Sequence, residues 1–544
     1  MLRISELKLP LDHAPDALPA AIAARLGVAA GDLVGWSVWK RAHDARRKSA
    51  ILKVYIVDAE VKGEAAVLTR LAGDPHVRPT PDTTYRPVAT APRAGGRLRP
   101  VVIGAGPCGL FAGLILAEMG FAPIILDRGK VVRERTKDTW GLWRRSALNP
   151  ESNVQFGEGG AGTFSDGKLY SQIKDPRFLG RKVLTEFVEA GAPPEILTEA
   201  HPHIGTFRLV TMVERLRAKI EALGGEYRFQ TRVTDVELDR GPDGGRRLRG
   251  LHLAGGDFLE ADQVVLAVGH SSRDTFEALY ERGVHIEAKP FSIGFRIEHP
   301  QSWIDKALFG PCAGHPDLGA AAYSLSHHCA NGRTAYSFCM CPGGTVVAAA
   351  SEPGRVVTNG MSQYSRNERN ANAGFVVGIS PADYPGDHPL AGVTLQRELE
   401  SRAFVAGGGD YCAPGQTVGD FLAGRASTAL GAVVPSYRPG VRPTDLAAIM
   451  PDYVVEAMRE ALPVFGRKIP RYDDAEALLT GVETRTSSPI RITRGQDLQS
   501  LNVRGLFPAG EGAGYAGGIL SAAVDGIRVA EAVARAIVGE AAAA

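Results

Sequence analysis

Residues 99–129, RPVVIGAGPCGLFAGLILAEMGFAPIILDRG, constrain the fold of this chain more than any other segment. A run of β-branched residues leads into the pattern G-x-G-x-x-G, formed by Gly104, Gly106 and Gly109. An apolar helix and a second apolar strand, which ends at Asp127, follow. In such a unit the first glycine permits a tight turn, the second lets backbone reach a pyrophosphate, and the third packs helix on strand. The segment therefore predicts a dinucleotide-binding β–α–β unit.

Three neighbouring residues extend this predicted site. Pro107 opens the helix, whose N-terminus offers free N–H groups and the positive end of the helix dipole to phosphates. Asp127, followed by Arg128, is well placed to bind the ribose of an adenosine. The spacing of strand, helix, second strand and acidic residue is more specific than a glycine pattern alone, which often marks only a turn in an α/β protein. The pattern does not distinguish NAD from FAD.

Two later segments distinguish between these cofactors. Residues 261–274, ADQVVLAVGHSSRD, form an apolar strand that runs into Gly269. Residues 501–533 combine a strand, an acidic residue in a glycine-rich turn after Gly510, and a long apolar helix. With the first unit, and in this order, they resemble the FAD-binding flavoproteins of the glutathione-reductase-like type.

The resemblance implies roles for several residues of the later segments. Glu511 would hold the ribityl chain, where this family more commonly has Asp. The following helix would point its N-terminus at the flavin from Gly517, Gly518 and Ile519, and a positive helix end stabilises an anionic reduced flavin. Val233, in QTRVTDVEL, occupies the position where this family contacts adenine through backbone.

Almost the whole chain also resembles a narrower group. The segments that carry this resemblance are NVQFGEGGAGTFSDGKLYS, HPHIGT, FSIGFRIEHP, YSFCMCPGG, TNGMSQYSRNERNANAGF and GVETRTSSPIRITR. They look like those of bacterial FAD-dependent dehydrogenases, a group of poorly defined activity whose pattern includes an N-terminal ferredoxin-like module. The resemblance implies an FAD enzyme but supplies no substrate. No covalent-attachment signal stands out, so we expect non-covalent FAD.

The order of predicted elements divides the chain. Residues 1–85 follow the order β-α-β-β-α, which favours a small ferredoxin-like α+β module. Residues 86–98 are rich in Pro and Gly and are predicted to be a linker. The predicted body is α/β: a discontinuous, three-layer FAD-binding domain of Rossmann type, made from residues 99–280 and 480–544. A mainly antiparallel β substrate domain, residues 281–479, interrupts it.

A second glycine-rich segment, FGEGGAGTFSDGKLYS, follows the second predicted strand. Its Gly160 and Gly162 are predicted to pack against the cofactor, with the polar groups of Ser165, Asp166 and Lys168 nearby. The alternative is a flexible surface loop. Because that strand lies well before the segment, no apolar strand leads directly into it and no amphipathic helix opens from it, we predict no dedicated NAD(P)H domain. A nicotinamide would bind transiently at the flavin.

Three residues are candidates for the chemistry. Cys339 and Cys341 lie in AYSFCMCPGGTV, and no second C-x-C or C-x-x-C exists to complete a zinc site. On a regular strand both thiols face one side and Met340 the other, at the edge of disulfide geometry, and the backbone can kink only after the pair. We expect free thiols, either in plain core or beside the flavin. Arg485 binds a substrate anion or the flavin carbonyl edge, or else pairs with Glu483.

Two histidine pairs suggest metal binding without completing a site. His201 and His203 lie in HPHIG, and His327 and His328 lie in LSHHC. Neither pair is accompanied by a third and fourth ligand at zinc-like spacing. We therefore predict no metal.

Composition narrows the class of protein. The 544 residues are 44% hydrophobic and 22% charged, with a net charge of +2, which is typical of a soluble globular protein with no general attraction to nucleic acid or membrane. Six cysteines form no disulfide framework. We see no signal peptide and no membrane span, so we expect a cytoplasmic protein. The composition does not indicate the oligomeric state.

Three functions are compatible with these features. The leading hypothesis is an FAD-dependent oxidoreductase that transfers hydride or electrons between FAD and a small organic substrate. The second is a flavoprotein of tRNA modification, in which the basic segment 40–48, KRAHDARRK, belongs to an RNA arm rather than to a solvated hairpin tip. The third is a non-catalytic flavin-binding or partner-binding protein. Neither the electron donor nor the acceptor is specified.

Overall fold

A computed structural model describes residues 1–92, 98–241 and 244–539 of the chain. Residues 86–92 and 98 of the predicted linker have no regular secondary structure, and residues 93–97 lie outside the described residues. Within the described part, no helix has the length and apolar character that a membrane crossing requires.

The N-terminal module packs two helices on one antiparallel sheet. Its elements are β1 (Leu2–Pro10), α1 (Ala17–Leu26), β2 (Leu33–Asp44), β3 (Leu52–Val61), α2 (Glu64–Arg70) and β4 (Val77–Pro79). The strands lie in the order β2-β3-β1-β4, and each neighbouring pair is antiparallel. Leu2, Ile4 and Val57 of the sheet pack with Ile22 and Leu26 of α1 in a separate buried core. The alternation along β1 and β3 places these apolar side chains on the helix-covered face.

The first part of the body contains both helices and strands. They are β5 (Val101–Ile103), α3 (Pro107–Glu118), β6 (Ile124–Leu126), α4 (Val132–Arg145), α5 (Leu179–Glu189), α6 (Thr206–Ala222), β7 (Glu226–Arg228), β8 (Val233–Arg240), β9 (Arg246–Leu253), β10 (Phe258–Glu260), β11 (Val264–Leu266), α7 (Arg273–Glu281) and β12 (Ile286–Ala288).

A strand-rich segment follows, and the chain then returns to the first part of the body. The segment contains β13 (Phe291–Pro300), α8 (Gln301–Phe309), β14 (Ser326–His328), β15 (Thr334–Ala348), β16 (Thr358–Ser362), β17 (Asn370–Ile379), α9 (Ala391–Ala406), β18 (Ala413–Thr417), α10 (Val418–Ala423), β19 (Val441–Pro443), α11 (Asp452–Lys468) and β20 (Leu478–Glu483). The returning elements are β21 (Ile490–Ile492), β22 (Leu506–Pro508) and α12 (Ile519–Val538).

A five-stranded parallel sheet, in the order β22-β11-β5-β6-β7, forms the centre of the body. Val102, Ile125 and Val265 point to one face, where they pack against α3, α5, α6 and α12. Val101 and Val264 point to the other face, against α7 and the antiparallel sheet β10-β9-β8. Strands with two buried faces are expected to be continuous apolar runs, as the sequence of β5, β6 and β11 shows. Helices, parallel sheet and antiparallel sheet thus form three layers.

The strand-rich segment forms its own sheet beside this centre. Its strands lie in the order β14-β15-β17-β13-β20-β18-β19, and β16 pairs with β15. Every neighbouring pair is antiparallel except β18 and β19. Side chains of α9, α10 and α11 pack against this sheet in one large core. The prediction of a mixed α/β fold with parallel and antiparallel sheets is confirmed.

The boundaries of the inserted domain differ from the predicted ones. The predicted boundary between residues 479 and 480 falls inside β20, all of which belongs to the inserted sheet. At the other boundary, β12 pairs with β21, and Ile286 and Ile490 pack in the core below the parallel sheet. The insertion therefore extends from about β13 to the end of β20. The pairing of β12 with β21 keeps the two connections between the inserted domain and the centre of the body side by side.

Candidate active site

A cavity of about 950 Å³ lies between the parallel sheet and the inserted sheet. It borders the carboxyl ends of β5, β6 and β11, where parallel α/β sheets place their ligands. The predicted cofactor residues in its wall are Gly104, Gly106, Pro107, Asp127, Arg128, Gly160, Gly162, Val233, Gly269, Glu511, Gly517, Gly518 and Ile519. Gly109 and Gly510 lie behind the wall. A Cβ on Gly109 would clash with the carbonyl of Gly104, and a Cβ on Gly510 would approach Cys108 to 2.9 Å.

The turn between β5 and α3 requires glycine for two separate reasons. Gly104 has a φ of +101°, and a Cβ there would clash with the backbone carbonyl of Ala267. Gly106 lies beside the second glycine-rich segment, where a Cβ on Gly160 would come within 2.7 Å of the Gly106 Cα. The two backbones therefore form a narrow cradle at the N-terminus of α3, which would accommodate a phosphate group.

The second glycine-rich segment is a buried part of the wall and not a surface loop. Residues 152–159 are buried, and a Cβ on Gly162 would come within 2.9 Å of Ile519. Arg135 of α4, which we did not predict, is fully buried and donates hydrogen bonds to the carbonyls of Asn153, Val154, Glu158 and Gly160, among others, at 2.6–2.9 Å. Burial lowers the pKa of Arg135 to about 10. One side chain thus holds the whole segment in shape.

The acidic residue after β6 binds backbone on both sides. Each oxygen of Asp127 accepts a hydrogen bond of 2.8 Å, from the N–H of Ala105 and the N–H of Gly129. Burial raises the pKa of Asp127. Arg128 forms ion pairs with Glu151 and Asp274, both at 2.8 Å. Asp127 therefore fixes the glycine turn as well as lining the cavity, and the guanidinium of Arg128 is largely engaged by protein carboxylates.

The last predicted motif, near the C-terminal end of the sequence, forms another part of the cavity wall. α12 begins at Ile519, and a Cβ on Gly517 or Gly518 would meet nothing within 4 Å, so its N-terminus opens to the cavity. Glu511 lies in the turn before this helix, where burial raises the pKa of its carboxyl group to about 7 against the opposing effect of Lys289. The cavity therefore has two helix N-termini, from α3 and α12, and a carboxyl group that titrates near neutrality.

The strand that carries the two cysteines is not regular, contrary to the prediction. β15 pairs with β17 as far as Gly344 and with β16 from Gly344 onwards, and its register shifts on both sides of Cys341. Cys339 has a φ of +42°, so the irregularity begins at the pair and not after it. Cys339 lines the cavity, whereas Met340 and Cys341 are both buried. This bulge lies just before β15 begins to pair with β16, and it breaks the expected alternation of faces.

Both thiols are free, and positive charges surround them. The ammonium group of Lys168 lies 3.7 Å from Cys341 Sγ, and Arg296 donates a 2.9 Å hydrogen bond to the carbonyl of Cys339. A hydrogen bond from Cys341, assisted by Lys168 and Arg296, holds the pKa of the Cys339 thiol well below its usual value. The same hydrogen bond, with burial, raises the pKa of Cys341. Arg296 also pairs with Glu483 at 2.8 Å.

Arg485 has a structural partner, but a different one from Glu483. Its guanidinium binds Glu400 of α9 at 3.0 and 3.1 Å and the hydroxyls of Ser271 and Ser351 at 3.0 and 2.7 Å. The predicted pairing with Glu483 is wrong, because Glu483 binds Arg296. Arg485 lines the cavity, but its donors are largely committed to these buried groups.

One of the two histidine pairs lies beside ligands that the sequence did not reveal. Nε2 of His327 is 2.8 Å from Glu460 of α11, and Sγ of Cys329 completes a group whose ligand atoms lie within 4.8 Å of one another. Glu460 also accepts hydrogen bonds from the N–H of Ala330, so the carboxylate already has protein partners. Of the other pair, His203 bonds the carbonyl of Tyr364 at 3.1 Å. The absence of a metal stays a prediction.

The basic segment 40–48 contacts the body of the protein. Arg41 pairs with Glu199, and its backbone exchanges hydrogen bonds of 2.6 and 2.8 Å with Thr198 and Ala200. Arg46 pairs with Asp44 inside the hairpin. The segment is therefore partly an interface between the N-terminal module and the body, and its role toward RNA stays a prediction.

Comparison with known proteins assigns the chain to a family. Residues 290–486 match the model described as FAD-dependent protein, C-terminal domain-like, and residues 1–60 match a domain of unknown function, DUF8436. An uncharacterized protein of Clostridium beijerinckii is 46% identical over 97% of this chain and 98% of its own length. This chain belongs to the family of that protein. The match to the FAD-dependent domain covers the whole inserted sheet, from β13 to β20, and confirms the resemblance to FAD-dependent proteins at that level.

Similar solved structures are more distant. The flavoprotein/dehydrogenase from Cytophaga hutchinsonii is 11% identical, with a TM-score of 0.35, over 82% of this chain and 80% of that one. Glycine oxidase from Geobacillus kaustophilus is also 11% identical, with a TM-score of 0.35, over 82% of this chain and 95% of that one.

Proposed function

We propose that this protein is an oxidoreductase that binds one FAD non-covalently and acts on a small organic substrate. One observation carries the proposal: the three segments that resemble flavin motifs lie far apart in sequence, yet all line one cavity of about 950 Å³. That volume is at the upper end of the usual range for ligand and cofactor sites, roughly 300–1,000 Å³. When bound, FAD supplies hydride and electron transfer, while the protein supplies position and electrostatics.

The residues of the cavity fit such a cofactor. The cradle between Gly106 and Gly160 has no room for a Cβ and leaves backbone to face a phosphate. The N-terminus of α12 adds a positive dipole end at the opposite side, where a reduced flavin would carry negative charge. The inserted sheet contributes Phe338, Cys339 and Asn359 to the same cavity. We propose that these inserted residues select the substrate.

The proposal also concerns the electron donor. Among the described residues, the central sheet of β22-β11-β5-β6-β7 is the one sheet that is parallel throughout, and the dinucleotide motif belongs to it. We therefore propose that a nicotinamide, where one is used, reacts transiently at the flavin. The alternative is that the substrate itself reduces the flavin.

Cofactor release tests the proposed function directly. Denaturation of the purified protein is expected to release a yellow compound that chromatographs as FAD, in a ratio of one per chain. Anaerobic exposure to NADH, NADPH and metabolite pools should then identify a donor by loss of flavin absorbance. Release of FMN, or the absence of flavin after reconstitution, would contradict the proposal. Bound FAD that no donor reduces would favour a non-catalytic flavin protein.

The affinity for FAD is expected to depend on pH through Glu511. Its pKa of about 7 without cofactor means that the carboxyl group is part-protonated at neutral pH. If the carboxylate accepts hydrogen bonds from ribityl hydroxyls, FAD binds the ionised form of Glu511 better. The affinity for FAD should therefore rise as pH increases from about 6 to 8. For one linked proton, the rise is at most about tenfold per pH unit. Fluorescence titration of the apoprotein measures this dependence.

A matched pair of variants assigns the effect to one carboxyl group. Glu511→Gln should bind FAD more weakly and with a flatter pH profile, whereas Glu287→Gln, at an exposed position of β12, should keep the wild-type profile. Glu483 also lines the cavity, and burial raises its pKa to about 7, so it would account for any residual dependence. An unchanged profile in Glu511→Gln would contradict the assignment.

A further inference from the structure

Cys339 and Cys341 differ in their access to the cavity. Cys339 lies in the cavity wall with Phe338, and Cys341 lies directly behind it and is fully buried. The positive φ of Cys339 turns this residue out of the regular pleat, and Cys341 Sγ lies 3.4 Å from the Cys339 carbonyl. One sulfur is thus accessible to a bound molecule, and the second is held within reach of the first.

The charges around the pair favour a thiolate at the accessible position. Lys168 lies 3.7 Å from Cys341 Sγ, and the guanidinium of Arg296 is bonded to the Cys339 carbonyl. Neither cation is free to leave, because Lys168 pairs with Asp166 at 3.2 Å and Arg296 pairs with Glu483. The pKa of Cys339 is lowered first by its interaction with Cys341 and then by these two cations, whereas the same interaction, with burial, raises the pKa of Cys341 against the effect of the cations. An exposed thiolate with a protonated neighbour is the arrangement that thiol–disulfide chemistry requires.

The thiols also lie close to the predicted flavin contacts. Cys339 faces the same cavity as Glu511, Gly517 and Gly518. The negative charge of a Cys339 thiolate contributes to the raised pKa of Glu511, so the two groups are within electrostatic range of each other. A plain core function does not explain why Cys339, Lys168 and the carboxyl groups of Glu483 and Glu511 line one cavity, while Cys341 contacts Lys168 and Arg296 pairs with Glu483 just outside it.

We propose that Cys339 and Cys341 form a redox-active dithiol that exchanges two electrons with the flavin, an inference that rests on the proposed function. In the oxidising direction the S–S bond forms between the Cys339 thiolate and Cys341, the S–H bond of Cys341 breaks, and two electrons and one proton leave the sulfurs. Both electrons and that proton pass to FAD, which is thereby reduced to the anion FADH⁻. In the reverse direction FADH⁻ returns them and the S–S bond breaks. Cys339 is the sulfur that reacts with the flavin, and Cys341 completes the disulfide.

Electron counting tests the proposal without a substrate. The holoprotein is oxidised with diamide, desalted and titrated anaerobically with dithionite while flavin absorbance is followed. Wild type is expected to consume four electrons per FAD, two for the flavin and two for the disulfide. Cys339→Ser and Cys341→Ser should consume two. Cys412→Ser, which changes a cysteine of similar exposure outside the cavity, should still consume four.

Alkylation provides a second measurement that does not need the flavin. Mass spectrometry of the denatured, alkylated protein should show Cys339 and Cys341 blocked after diamide and free after reduction. If wild type holds FAD but consumes two electrons and both cysteines stay alkylatable, the dithiol is overturned and the proposed function stands. If the protein holds no FAD, the proposed function fails, and a disulfide found in the flavin-free protein would then belong to another reaction. Because wild type alone gives both results, a variant that fails to fold leaves the test intact.

Lys168 is the positioning residue whose role can be measured separately. The charged and titratable groups that face Cys339 are Lys168, Arg296, Cys341, Glu483 and Glu511. Lys168→Met should move the pH midpoint of Cys339 alkylation upward by about 1 unit or more, the scale of a lost neighbouring charge. Lys168→Arg, which keeps the charge, should largely restore the midpoint. A purely structural lysine would leave this midpoint unchanged in both variants.

Discussion

Arg135→Met is expected to lower the free energy of unfolding by about 3–5 kcal/mol and to reduce the FAD content. The guanidinium of Arg135 satisfies at least four carbonyls between Asn153 and Gly160, in the second glycine-rich segment and the residues just before it. Each buried carbonyl left without a partner costs about 1–3 kcal/mol, and partial relaxation keeps the total below the sum. Because this segment forms the cradle with Gly106, the loss of shape should also weaken FAD binding.

Thermal melting followed by circular dichroism, with FAD content after gel filtration, measures both effects. Arg133→Met is the matched control, since Arg133 lies two residues earlier on α4 and makes an exposed ion pair with Glu214. It should change neither quantity appreciably, because exposed pairs contribute little. Equal melting temperatures for the two variants would show that Arg135 does not organise the segment.

Glu400→Gln is expected to destabilise the protein by a similar amount, about 3–5 kcal/mol, because it removes the counter-charge of buried Arg485 and one of the two carboxylates that pair with buried Arg273. Glu400 of α9 is fully buried and binds Arg273 of α7 at 2.7 Å and Arg485 at 3.0 Å. It thereby connects α9 of the inserted domain to α7 of the body. Loss of this contact should loosen the cavity wall at Arg485 and Ser271.

The pKa of Glu400 determines how its contribution to stability depends on pH. Burial alone would raise the pKa of Glu400, but Arg273 and Arg485 hold it well below the ordinary value of 4.5. A lowered pKa in the folded state contributes stability above the unfolded pKa, and that stability is lost as pH falls. The difference between wild type and Glu400→Gln in chemical denaturation should therefore be largest near neutral pH and should shrink below about pH 4.5.

Glu398→Gln serves as the control on the same helix. Glu398 pairs with Arg402 at the surface, where such pairs contribute about 0–1 kcal/mol. It should therefore melt close to wild type at every pH. A Glu400→Gln protein as stable as Glu398→Gln would mean that the buried cluster carries no net stabilisation.

Local patterns in the sequence predicted the elements near the cofactor. The strand–glycine–helix–strand order of residues 99–129 appears as β5, α3 and β6, because turn geometry and apolar periodicity act over a few residues. The resemblance to FAD-dependent proteins added the order of three distant segments, and these line one cavity. The predicted boundary at residue 479 falls inside β20. This strand joins the inserted sheet through β13 and β18, which lie far away along the chain, so local patterns did not show to which sheet it belongs.

The sequence determined that an α/β centre with a glycine-rich turn forms, that another sheet interrupts it and that two thiols lie next to a glycine turn. The tertiary structure alone decided which charges surround those thiols and what holds the cavity wall. Lys168 and Arg296 come from separate segments, and the bulge at Cys339 lies where β15 shifts its register against β17, just before it pairs with β16. Arg135 and Glu400 resemble ordinary helix residues in the sequence. Their roles depend on buried partners that only long-range packing brings together. An unpaired buried charge is costly, so each charge must find a partner in the folded structure, and the spacing along the chain does not reveal which one.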